Sequence, residues 1–170
     1  MEFFFDRYFW QAQLQSEDWA AFTGGTAILL TFAPEGRDES PLRADERALA
    51  DWVERNLAQQ KPHVLAAIYQ AYPDLRQQFF VDFDIEENIQ DLPSLETMQD
   101  LVQVIDLIGV NVHQISNDGI PYVGYEFSCA WDEEHGLGVL MHRDRIVELG
   151  AADVAMTLWM VEEDLDADGS

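Results

Sequence analysis

The stretch Tyr122 to Gly150 narrows the possible folds more than any other part of the chain. From Val123 to Trp131, the residues Val123, Tyr125, Phe127, Cys129 and Trp131 are apolar or aromatic, and they alternate with Gly124, Glu126, Ser128 and Ala130. A period of two is that of a strand with one face in a core. Asp132-Glu133-Glu134 interrupts the pattern, which resumes after His135-Gly136 with Leu137, Val139 and Met141. After Arg143-Asp144-Arg145 a third short run follows, Ile146 to Leu149. Links this short cannot carry a crossover, so the three runs form an antiparallel meander.

Upstream, Phe3 to Leu14 is aromatic-rich and reads as a strand, and Thr26 to Phe32 reads as its neighbour or hairpin partner. Ser40-Pro41 has the form of a helix start, with Leu49, Trp52, Val53 and Leu57 at helical spacing. Lys61-Pro62 is expected to interrupt this helix, and a second follows on Leu65, Ile68, Tyr69 and Tyr72 up to Pro73. Beyond Pro73, Asp74 to Phe80 is read as a further short turn of helix. Asp82 to Asp91 reads as an irregular acidic loop, and a third helix is expected from Pro93-Ser94 on Leu95, Met98, Leu101, Val102 and Ile105. Val110 to Ile115 reads as a strand, joined by the turn Ser116-Asn117-Asp118-Gly119 to the meander. Thr157 to Val161 fits either period, and Glu162 to Ser170 is expected to fray. The fold class is therefore α+β: an antiparallel sheet that includes a C-terminal meander, with about three helices on one side. One domain over residues 1–161 and an acidic tail over 162–170 are expected.

The segment C-x-W-D-x-E-H-G-L-G-V, Cys129 to Val139, followed by R-I-V-E-L-G-A-A-D, Arg145 to Asp153, resembles a family of uncharacterised bacterial proteins. That family is a domain of unknown function, similar to this chain over most of its length. Some members are encoded beside polymorphic toxins, so the resemblance implies an immunity role.

Composition bears on partners. Nine Lys and Arg stand against 33 Asp and Glu, a formal net charge of −24. Such a surface repels nucleic-acid phosphates and anionic membranes and attracts basic proteins at long range. The one cysteine excludes an intrachain disulfide, and Met1 to Arg7 lacks the basic start and apolar run of a signal peptide, which points to the cytoplasm.

Asp132, Glu133, Glu134 and His135 put three carboxylates and an imidazole within four residues. A metal-dependent hydrolase centred on Asp132, Glu134 and His135 is one alternative. Consecutive residues on a hairpin tip point apart, however, and the spacing of a site such as H-E-x-x-H is missing. Cys129 shares a face with Phe127 and Trp131, which makes it a core residue, while His63 and His142 read as surface histidines. No catalytic residue, metal or cofactor is expected. The expected partner surface comprises Asp82, Asp84, Glu86, Glu87 and Asp91 in one loop and Asp132, Glu133 and Glu134 in the other, covering a basic cleft on a cognate toxin or other basic protein. A non-enzymatic adaptor using the same surfaces is the other alternative. Of Trp10, Trp19, Trp52, Trp131 and Trp159, any left exposed is an interface anchor.

Overall fold

The computed structural model describes residues 1–82 and 92–169. Its centre is a seven-stranded sheet whose spatial order follows the chain: β1 (Phe4–Asp6), β2 (Phe9–Leu14), β3 (Ile28–Phe32), β4 (Ile105–Asn117), β5 (Ile120–Cys129), β6 (Leu137–His142) and β7 (Arg145–Gly150). Between β2 and β3 lies the short α1 (Ala20–Thr23), between β3 and β4 the long α2 (Ala44–Asp82), and after β7 a 3-10 turn (Ala152–Met156) and α3 (Leu158–Asp168). The class is α+β, and the meander stands where the alternation put it, with Tyr125 opposite Val139 and Val139 opposite Leu149. The Asp118-Gly119 turn has φ of 55° and 75°, as a two-residue hairpin between twisted strands requires.

The pairing of β3 with β4 is parallel, whereas all the other neighbours are antiparallel. Residues 33–104, with α2 among them, supply the crossover that a parallel pair needs. At the N-terminus the expected single strand is a hairpin, because Arg7 at φ 45° reverses the chain between β1 and β2.

α2 runs unbroken through Pro62 and Pro73, where breaks were expected. A proline removes one helical hydrogen bond and crowds the preceding turn, at a cost of about 3 kcal/mol. Packing offsets this: Ala50, Val53, Leu57, Val64, Leu65, Ile68 and Tyr72 are all buried along one stripe against the sheet. One turn before Pro62, the indole N–H of buried Trp19 donates to the Leu57 carbonyl at 3.1 Å. Buried Gln60 adds polar links, accepting from the Tyr125 hydroxyl at 2.7 Å and donating to the Arg143 carbonyl at 2.9 Å.

The helix starts at Ala44, not at Ser40-Pro41, because Glu46 turns back to accept from the Arg43 backbone N–H at 3.0 Å. Glu46 also receives a fork from Arg37, at 2.7 and 2.9 Å, and Arg37 donates further to the carbonyls of Asp38, Ser40 and Pro41. Both side chains are nearly shielded from water, at 9% and 6% exposure. The guanidinium holds the Glu46 carboxyl below the usual carboxylate range. Arg37→Lys keeps the charge but loses the fork, and is expected to lower the unfolding free energy by about 1–2 kcal/mol in urea titrations.

The expected third helix is only a 3-10 turn, Met98–Gln103, closed by a capping box between Thr97 and Asp100. Ile105, assigned to its stripe, instead opens β4. Residues 162–168, expected as a frayed tail, belong to α3.

α2 covers one face of the sheet, packing on Val123, Tyr125, Phe127 and Val139. The C-terminal turn and α3 cover the other face, where Tyr122, Leu140, Val154 and Val161 form a second cluster. The helices thus divide between the two faces, because the glycines of β5–β7 give the second face room for a closely seated segment. Gly124, Gly138 and Gly150 lie under the 3-10 turn, and a Cβ on Gly124 would stand 1.8 Å from the Ala155 carbonyl oxygen. The same oxygen receives the Nε2–H of buried His113 at 3.0 Å.

Candidate protein-binding surface

The β5–β6 connection places Asp132, Glu133, Glu134 and His135 at the rim of the sheet. Asp132 accepts from the backbone N–H of His135 at 3.0 Å and lies 3.0 Å from its Nδ1. Burial alone would raise the Asp132 carboxyl, but the His135 backbone and imidazole outweigh it and hold the group below its ordinary value. The turn is locked further by Gly136 N–H donating to the Asp132 carbonyl and by Ala152 N–H donating to the His135 carbonyl. Asp132 and His135 are therefore brought together, while Glu133 and Glu134 are exposed. Among the described residues, no three His, Cys, Asp or Glu side chains are grouped to hold a metal ion. Of the other proposed loop, Asp84, Glu86, Glu87 and Asp91 lie outside the described residues, and Asp82 is the last residue of α2.

Cys129 is buried, and burial pushes its thiol up to about 11. A thiol held so strongly protonated is a poor nucleophile. Carbamidomethylation by iodoacetamide at pH 8 is expected to be at least about tenfold slower in the native protein than in urea, followed by intact mass. His142, expected at the surface, is 5% exposed: it lies over the Tyr122 ring with centroids 4.5 Å apart, its Nε2 3.2 Å from the Ile120 carbonyl. His63 is the exposed one, 3.7 Å from Asp144.

The tryptophans divide clearly. Trp19 is fully buried, and Trp10, Trp52 and Trp131 are partly buried against the main core. Trp159, on the first turn of α3, is 58% exposed. It borders a cleft of about 230 Å3 between α3 and β7, lined also by Val147, Glu148, Met160, Glu163 and Asp164. Val147 reaches the cleft because the β6–β7 register shifts between Leu140 and Met141, so two β7 residues face one.

α3 is fixed over this cleft by polar contacts. Asp164 receives both arms of Arg145 at 2.9 and 2.6 Å and the Tyr122 hydroxyl at 2.7 Å, and the guanidinium holds its carboxyl below the ordinary value. Asn117 donates to Asp168 at 2.6 Å, and the Glu35 carboxylate accepts from the Leu158 backbone N–H at 2.8 Å. A carboxylate at that position also suits the helix dipole. The sequence named Trp159 but could not tell strand from helix there. Helical spacing of Trp159 with Glu163 puts the two on one side of α3, but the cleft itself depends on how α3 seats against β7.

A family model described as Domain of unknown function (DUF6985) matches residues 2–156. The chain belongs to that family. No curated protein matches it. No solved structure matches it either. The DUF6985 match takes in all seven strands, α2 and the 3-10 turn, and ends before α3. In this DUF6985 chain, Trp159 and Glu163 therefore lie beyond the matched region, whereas Asp132, Glu133 and Glu134 lie within it.

Proposed function

We propose that this protein binds and neutralises a cognate bacterial toxin by occlusion, as an immunity protein acting through surface complementarity without chemistry of its own. The observation that carries the reading is the charge balance as it is distributed in the fold. Four of the nine cationic side chains, Arg37, Arg43, Arg143 and Arg145, are tied to carboxylates of the same chain. The acidic excess is left for a partner, including Glu133 and Glu134 at the β5–β6 tip and Glu162, Glu163 and Asp166 on α3, all of them exposed. A toxin that acts on a nucleic acid or a dinucleotide needs a basic cleft, and carboxylates on a rigid sheet imitate the phosphates it receives.

The test is co-expression with toxin catalytic domains encoded in the same gene neighbourhood, followed by purification of the complex. The expected result is restored growth, a one-to-one complex, and an association rate that falls at least about tenfold between low and high salt. Undiminished toxicity on co-expression with every neighbouring toxin domain would overturn the reading.

A further inference from the structure

We propose that the cleft between α3 and β7 seats an arginine side chain of the partner protein, with its guanidinium stacked on Trp159 and its N–H groups donating to Glu163 and Glu148. This rests on the partner being a basic protein.

Three observations converge on that occupant. An exposed indole at the lip of a cleft is a large, rigid contact surface, and tryptophan faces attract guanidinium groups. The cleft is lined by three carboxylates and no cation. Arg145, beside it, is already committed to Asp164 through two short bonds. Among the described residues the carboxylates of Glu148 and Glu163 have no ion-pair or hydrogen-bond partner, so their charge is available. Glu163 lies one helical turn from Trp159, on the same side of α3, and Glu148 faces it from the bulged end of β7.

Size narrows the choice. About 230 Å3 is below the ~300 Å3 at which pockets for drug-sized ligands begin, and suits a single long side chain with a floor of Val147 and Met160 for its methylenes. Arginine is favoured over lysine because a planar fork can stack on the indole and bind two carboxylates at once. The bulge at Val147 also breaks the regular edge of β7, which makes side-chain insertion a better fit than an added strand.

The experiment follows the indole N–H resonances of the five tryptophans in 15N-labelled protein, with Trp159 assigned from Trp159→Phe. The probes are acetyl-Gly-Arg-Gly-amide and its neutral citrulline analogue. The arginine peptide is expected to move the Trp159 signal saturably, and the citrulline peptide to leave it in place. Glu148→Gln/Glu163→Gln is expected to weaken the arginine response at least about tenfold with the fold intact by circular dichroism. No movement of Trp159, an equal response to citrulline, or an unchanged response in the double variant would each overturn the proposal. With the toxin itself, Trp159→Ala is expected to weaken binding by ~30-fold, as loss of a hot-spot tryptophan does. Full-strength binding by that variant sinks the cleft and leaves the immunity reading standing. A wild-type protein that responds to the arginine peptide but protects against no toxin sinks the immunity reading instead.

Discussion

Gly124→Ala is expected to lower the unfolding free energy by about 4 kcal/mol or more, at the upper end of single substitutions. The added methyl would sit 1.8 Å from the Ala155 carbonyl oxygen, 2.6 Å from its carbon and 2.7 Å from Cα. All three are backbone atoms. No rotamer change relieves the clash, so either β5 leaves its ladder or the 3-10 turn lifts from the sheet and takes α3 with it. Gly138 faces the same turn at 2.6, 2.9 and 3.0 Å, and Gly109 meets only the Leu29 carbonyl, at 3.3 Å. The expected order of damage in urea unfolding is therefore Gly124→Ala, then Gly138→Ala, then Gly109→Ala. A Gly124→Ala protein within about 1 kcal/mol of wild type would mean that the turn is not seated on the strand.

The second large effect depends on pH and converges on the same carbonyl. His113 is 1% exposed, and burial pulls its imidazole down from 6.5 to about 4, against the opposing influences of the Ala155 hydrogen bond and the Glu35 charge. In the unfolded chain the group takes up its proton near pH 6.5, while the native state resists until about 4. Between those values the unfolded state holds more protons, so stability falls as pH falls. The contribution is complete above pH 6.5 and lost progressively towards pH 4, a difference of about 3 kcal/mol. The general relief of repulsion among 33 acidic side chains on acidification works in the opposite direction. For that reason the measurement compares wild type with His113→Gln across pH 4 to 8. Wild type is expected to lose stability relative to the variant as pH drops, and parallel profiles would show that the imidazole is not buried neutral.

The sequence carried the sheet well where one face alone was buried by aliphatic and aromatic residues. Val123, Tyr125, Phe127 and Cys129 alternate cleanly because their intervening neighbours are small or polar, and one of them, Gly124, lacks a side chain where a backbone segment lies on it. The alternation located the strands but gave no sign of that second layer. α2 was read as broken because proline propensity is local, whereas the burial of Val64, Leu65 and Ile68 that carries the helix through Pro62 is a tertiary effect. The parallel β3–β4 pair was hidden because strand direction depends on the course of the crossover, not on any residue within the strands. Of the residues proposed for the partner surface, Asp132 to Glu134 stand on the β5–β6 turn that the break in the alternation indicates. The exposure of Trp159 and the burial of His142 both depended on where α3 and Tyr122 came to rest, which no local pattern encodes.

The lone parallel pairing has a kinetic consequence. β1–β3 and β4–β7 are each built from near neighbours in the chain, so either can zip from its own turns, whereas joining Leu29 to Gly109 requires closing a loop that contains all of α2. Closing so long a loop costs chain entropy that only the finished core repays. The seam between β3 and β4 is therefore expected to be the last to acquire hydrogen-exchange protection during refolding, and the first place where the two ladders part under load.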